Sequence, residues 1–99
     1  MIFRDLEKVR VIVKTATDLD ISYAYDDLVF PDHSAFIIQY DDNDVNNFFC
    51  FFHQDCIPGD KKKIFNDLKN ACNQQKCTLM QKGSYFFKQK GEEVEIHFV

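Results

Sequence analysis

Only three glycines and two prolines punctuate the 99 residues, and no repeat, low-complexity tract or linker separates one part of the chain from another. That scarcity predicts a single domain over residues 1–99. No run approaches the roughly 18–20 continuous apolar residues of a membrane-spanning helix, which excludes an integral helical membrane protein. The opening MIFRDLEKVR is charged where a signal peptide needs an apolar stretch, so the expected location is the cytoplasm. Lys and Arg are missing altogether between Thr15 and Asp60. Ten aspartates fall in that window, at 18, 20, 26, 27, 32, 41, 42, 44, 55 and 60, while basic flanks bring the net charge to −4. Such asymmetry bears on partners and association rates rather than on fold.

Apolar and aromatic side chains are plentiful. Eleven Phe and four Tyr are far too many for a chain that stays unfolded. With no export signal visible, the four cysteines, Cys50, Cys56, Cys72 and Cys77, are expected as reduced thiols that behave as small buried hydrophobes.

Periodicity supplies the elements. Ile2, Leu6, Val9, Val13 and Ala16 recur at three and four residues, which predicts an amphipathic helix over about 3–17. From Ile21 the period becomes two, predicting a strand at Ile21–Tyr25 that Leu28–Phe30 continues past Asp26-Asp27. Pro31–Ser34 reads as a turn, Ala35–Tyr40 as a strand, and Asp41–Asp44 as a loop. Phe48–Phe52 is apolar on both faces, as a covered central strand would be. Pro58-Gly59-Asp60 opens a second helix running to about Gln75, with Asp60 as its expected N-cap. Thr78–Gln89, with a candidate bulge at Gly83, and Val94–Val99 form the last two strands. The expected fold class is α+β: an antiparallel five-stranded sheet with two helices packed on one face, in the order α-β-β-β-α-β-β.

Sites of catalysis or metal binding are poorly supported. In CFFHQDC, Cys50 and Cys56 share one strand face while His53 points to the other, and the paired C-x2-C spacing of structural zinc is missing. His53 with Asp55, His33 with Asp32 and Ser34, and His97 with Glu95 each lack a nucleophile in reach of sequence reasoning. Asp41, Asp42 and Asp44 do not follow the calcium-loop pattern, and no glycine-rich phosphate loop is present. No catalytic residue, metal or cofactor is therefore expected.

Lys61-Lys62-Lys63 at the start of the second helix, together with PDHSAF in the first hairpin turn, resembles part of the double-stranded RNA-binding domain over residues 3–75. In that family a turn with Pro and His and a Lys pair opening the last helix contact the duplex. Phe30 stands here where the family's turn has Gly, and ten uncompensated aspartates would repel a phosphate backbone. The element order is also similar to that of the small dimeric chaperones of type III secretion, which are acidic, cytoplasmic and non-enzymatic.

The expected function is a non-enzymatic protein-interaction module. Its contact surface is expected at Asp41, Asp42 and Asp44 and at Phe49 and Phe51, and its partner is another protein or a second copy of itself. The alternatives are an acidic inhibitor or immunity-type protein that blocks a basic site, and a small RNA-binding domain, although the charge disfavours nucleic acid.

Overall fold

A computed structural model describes residues 5–32 and 35–99. The order is α1 (Leu6–Thr17), β1 (Ile21–Tyr25), β2 (Leu28–Pro31), β3 (Phe36–Tyr40), β4 (Asn47–His53), α2 (Pro58–Gln74), β5 (Thr78–Lys90) and β6 (Glu93–Phe98). The α+β class holds. The sheet, however, has six strands in sequential order and curls into a half-barrel, and it is mixed rather than wholly antiparallel.

Two local causes account for the differences. The stretch expected as one strand folds back on itself, because Asp26-Asp27 forms a two-residue hairpin connection between the paired Tyr25 and Leu28. Asp26 sits at φ 53°, the sign that primed hairpin turns require and that Asp tolerates. Second, β4 and β5 pair in parallel, because α2 carries the chain back to β4's starting end before β5 begins. Four strands therefore precede α2. The order α-β-β-β-α, on which both resemblances rest, is not the order of this chain.

Asp5 caps α1, its carboxylate accepting from the Lys8 N–H at 3.0 Å. Residues 1–4 of the expected helix, and His33 and Ser34 of the expected turn, lie outside the described residues. Pro31 of that turn instead ends β2. Helix α2 begins earlier than its expected cap. Pro58 occupies the first turn, Ile57 is the N-cap, and Asp60 instead places its charge near the helix N-terminus.

At its other end α2 closes in a Schellman motif. The Cys77 N–H donates to the Cys72 carbonyl at 2.9 Å and the Lys76 N–H to the Asn73 carbonyl at 3.1 Å, with Lys76 at φ 59°. Cys72 and Cys77 occupy the two positions whose side chains meet in that motif, and both are buried. They serve as packing, as expected of reduced thiols. Cys50 is also buried, Cys56 is half-buried, and all four are free.

Both helices cover one face of the sheet. Val9, Ile12 and Val13 of α1 and Leu68, Ala71 and Cys72 of α2 enclose Val29, Phe36, Ile38, Phe48, Cys50, Phe52 and Leu79. The opposite, concave face holds a second, smaller core of Leu28, Phe30, Ile37, Phe51 and Tyr85, with Phe49 and Ile96 against it.

A bulge connects the two cores. Cys50 pairs with Gln81 but Phe51 pairs with Gly83, so Lys82 is the extra residue. Without it, alternation from Leu79 would point Tyr85 at the helices; with it, Tyr85 and Phe87 face the concavity. Gly83 is needed there, because a Cβ at this position would lie 3.0 Å from the Val99 carbonyl oxygen.

Gly83→Ala is expected to cost about 1 kcal/mol and Gly83→Val more, read as a lower denaturant midpoint, because the Val99 backbone must give way. Lys76→Gly is expected to stabilise by up to about 1 kcal/mol by relieving a side chain from the left-handed region, measured the same way.

Candidate functional site

The concave face has two unlike ends. One end is closed by polar groups. The Gln39 amide donates to the Asp27 carboxylate at 2.8 Å, Lys82 Nζ donates to the Gln39 side-chain oxygen at 3.3 Å, and the same ammonium lies 4.5 Å from the Phe49 ring centroid. Phe49 is thus half-buried beneath a cation of its own chain. Phe51 is more deeply enclosed, with the Phe98 ring 4.6 Å away.

The other end is open and aromatic. Tyr23 stacks on Phe30 with centroids 4.5 Å apart, forming one wall from β1 and β2. Tyr85 and Phe87 meet edge to face at 5.5 Å, forming the facing wall from β5. Together with Ile37 they line a hollow of about 210 Å³. In a flat sheet β1 and β5 would lie about 19 Å apart, so sharing one hollow is a direct measure of the curl. Tyr23 is 56% exposed and Phe87 48% exposed, whereas Phe30 and Tyr85 beneath them are buried. Phe98 and Val94 of β6 extend the exposed apolar rim.

His53 sits at the edge of this hollow, 5.3 Å from the Tyr85 ring and 6.2 Å from Phe87. Its Nδ1 accepts from the Asp55 N–H at 3.1 Å, and the Asp55 carboxylate lies 3.7 Å from the same nitrogen. The pair caps a turn; it is not aligned as a base and its orienting acid toward a nucleophile. The thiols are no better placed for chemistry. Burial pushes Cys50, Cys56, Cys72 and Cys77 all upward, Cys72 to about 12, and thiols so raised are poor nucleophiles near neutral pH. Among the described residues no group of His, Cys, Asp or Glu is arranged to hold a metal ion.

Antiparallel connectivity divides the ten aspartates between the two ends of the sheet. Asp26, Asp27, Asp41, Asp42 and Asp44 lie in the loops at the end where Lys82 closes the concave face. Asp18, Asp20, Asp32, Asp55 and Asp60 lie at the opposite end.

Two aspartates of the expected contact surface have structural duties. The Asp41 carboxylate accepts from the Asn43 N–H at 2.9 Å and from the Asn47 side-chain amide at 3.0 Å, and Asp44 accepts from the Asn46 N–H at 2.9 Å. The Asn47 amide first, and then the Asn43 N–H, hold the Asp41 carboxyl below the usual carboxylate range. Asp42 is exposed and does not take part in these turn bonds. The expected residues thus fall into two places: three aspartates at a strand end, and Phe49 and Phe51 on the concave face.

Sequence reasoning missed Tyr23, Phe30 and Phe98 as site residues. The first two stack only once Asp26-Asp27 is read as a hairpin turn. Phe98 reaches Phe51 only through the pairing of β6 with the far half of β5.

Burial first, and then the nearby thiols of Cys50 and Cys56, push the Tyr85 phenol up to about 12 from an ordinary value of 10.0. A raised value means its stabilising contribution is complete below pH 10 and is lost as pH rises to about 12, because the unfolded chain ionises first. Tyr85→Phe is expected to flatten that alkaline limb in denaturant titrations and to remove a late-ionising phenol from a spectrophotometric titration. The earlier loss from Cys72, which starts near pH 9, would remain. Searches of protein families, curated proteins and solved structures found no match to this chain.

Proposed function

We propose that the protein is a non-enzymatic interaction module that binds another polypeptide on the open, aromatic end of its concave sheet face. One observation carries this reading. Tyr23, Phe87, Val94 and Phe98 form an exposed apolar rim continuous with a buried core, and surfaces of that kind on soluble domains are normally contact sites. The proposal against enzymatic chemistry draws on the raised thiols and on a His53 nitrogen already engaged by backbone. Four free cysteines and no helix among the described residues long and apolar enough to cross a membrane suit a soluble protein of a reducing compartment, and we place it in the cytoplasm.

A second reading is favoured by the five aspartates gathered at the other end of the sheet. There the loops present carboxylates as a basic site's ligand would, in the manner of an acidic inhibitor.

The two readings separate by mutation. Phe87→Glu and Phe98→Glu place charge on half-exposed rings, and circular dichroism of each variant checks that the fold is kept. They are expected to abolish co-purification of whatever protein the parent retains from its own cells, while Asp42→Asn retains it. The reverse pattern supports the acidic loops, and a partner kept by all three variants overturns both readings. A chain that stays monomeric on light scattering and retains nothing overturns the module itself.

A further inference from the structure

We infer that the hollow between Tyr23–Phe30 and Tyr85–Phe87 receives a cationic side chain, an arginine or lysine, of a basic partner polypeptide. This rests on the interaction-module reading above and names the chemistry that the open end of the concave face recognises.

Ring faces carry negative quadrupole charge, so a site walled by them attracts cations as well as apolar groups. Here one wall is a stacked pair, with ring planes only 11° apart, and the other is an edge-to-face pair. The outer ring of each wall, Tyr23 or Phe87, is half-exposed and reachable from solvent. A planar guanidinium can lie against such faces while its N–H groups point outward.

Charge around the hollow selects further. Among the described residues no Lys or Arg lines it. The Asp55 side chain, beside His53 at the hollow's edge, is 83% exposed, whereas Asp20 at this end is engaged by Lys14. The cations of β5 point elsewhere: Lys88 and Lys90 alternate onto the opposite face from Phe87, directly across from Glu95 and Glu93. Lys14, 3.5 Å from Asp20, projects from α1 and so belongs to the helical side. An anion meets repulsion here, a neutral apolar group gains only burial, and a cation gains both attraction and burial.

The same face already contains this chemistry in satisfied form. At its closed end, Lys82 Nζ lies over the Phe49 ring beside a Gln39 oxygen, with Asp27 behind it. The open end offers rings of the same kind, with the Asp55 carboxylate beside His53 at its edge and, among the described residues, no Lys or Arg lining it.

The test compares acetyl-Gly-Arg-Gly amide with the citrulline peptide, which keeps the shape and loses the charge, titrated into the full chain and read by NMR on the Tyr23 and Phe87 ring signals. The arginine peptide is expected to saturate and to bind at least about fivefold tighter, with the advantage shrinking as salt rises. Tyr23→Leu and Phe87→Leu, which keep apolar bulk, should reduce arginine binding to the citrulline level. Equal affinities for the two peptides, or arginine-induced shifts confined to residues 41–44, would overturn the inference. Should either variant misfold, the arginine–citrulline comparison on the parent chain decides alone. Failure here leaves the wider module intact if Phe98→Glu still abolishes partner capture. Arginine selectivity without any dependence of a partner on the rim sinks the wider module and not this site.

Discussion

A strand that carries Phe at four of five consecutive positions must be buried on both of its faces, and β4 imposes that demand on everything around it. Phe48 and Phe52 point to the helices and are met by Val9, Ile12, Leu68 and their neighbours. Phe49 and Phe51 point the other way, where no helix among the described residues packs. The sheet supplies the missing cover by curling, so that β2, β3, β5 and β6 bring side chains over Phe51. Burying a Phe side chain is worth roughly 1.5–3 kcal/mol, which makes this second core comparable to the whole net stability of a small domain. The concavity that forms the candidate site is thus a by-product of solving a packing problem in β4.

Curling alone would fail without the bulge at Lys82. Pairing of β5 with β4 begins with Leu79 facing the helices, and strict alternation would keep every odd-numbered residue there. The extra residue exchanges the two faces midway along the strand, so one strand serves both cores: Leu79 in the first and Tyr85 in the second. Gly83 follows immediately and lets the Val99 carbonyl approach its backbone. The bulged residue is itself put to use, because Lys82 is the cation that closes the other end of the concave face. Bulge, close approach and polar closure therefore belong to one local arrangement.

Much of this was legible in the residues, for identifiable reasons. The stripe Val9, Val13, Ala16 and the alternation Phe36, Ile38, Tyr40 are local signals, and each element formed where its period placed it. The double-faced Phe48–Phe52 run announced a central strand. What could not be read was pairing. The hydrophobic pattern is indifferent to whether β4's next neighbour is parallel, and only the 17-residue return through α2 settles it. The hairpin at Asp26-Asp27 was hidden because this chain seldom uses glycine for positive φ. Asp18, Asp26 and Lys76 occupy left-handed positions in which glycine would have been a visible signal. Once that turn was missed, Tyr23 and Phe30 could not be brought together, and half of the aromatic hollow was out of view. The aspartates were legible as a group but not by role, since nothing in the sequence marks Asp41 and Asp44 as the carboxylates that hold their own loop.

The division of the acidic residues bears on how the two ends of the sheet relate. Aspartates at both ends give the chain a negative field beyond either end of its strands, and over distances near the screening length of about 8 Å that field draws in basic molecules without choosing an orientation. Selection must come from short-range features, and these differ between the ends. At one end the carboxylates of Asp41 and Asp44 are engaged in turns and the rings are roofed by Lys82, so an arriving cation finds competition. At the other, the rings of Tyr23 and Phe87 are half-exposed and the Asp55 carboxylate is largely solvated. In the proposed reading, long-range attraction common to both ends, combined with a short-range site at only one, would orient a basic partner on a surface whose net charge alone would not.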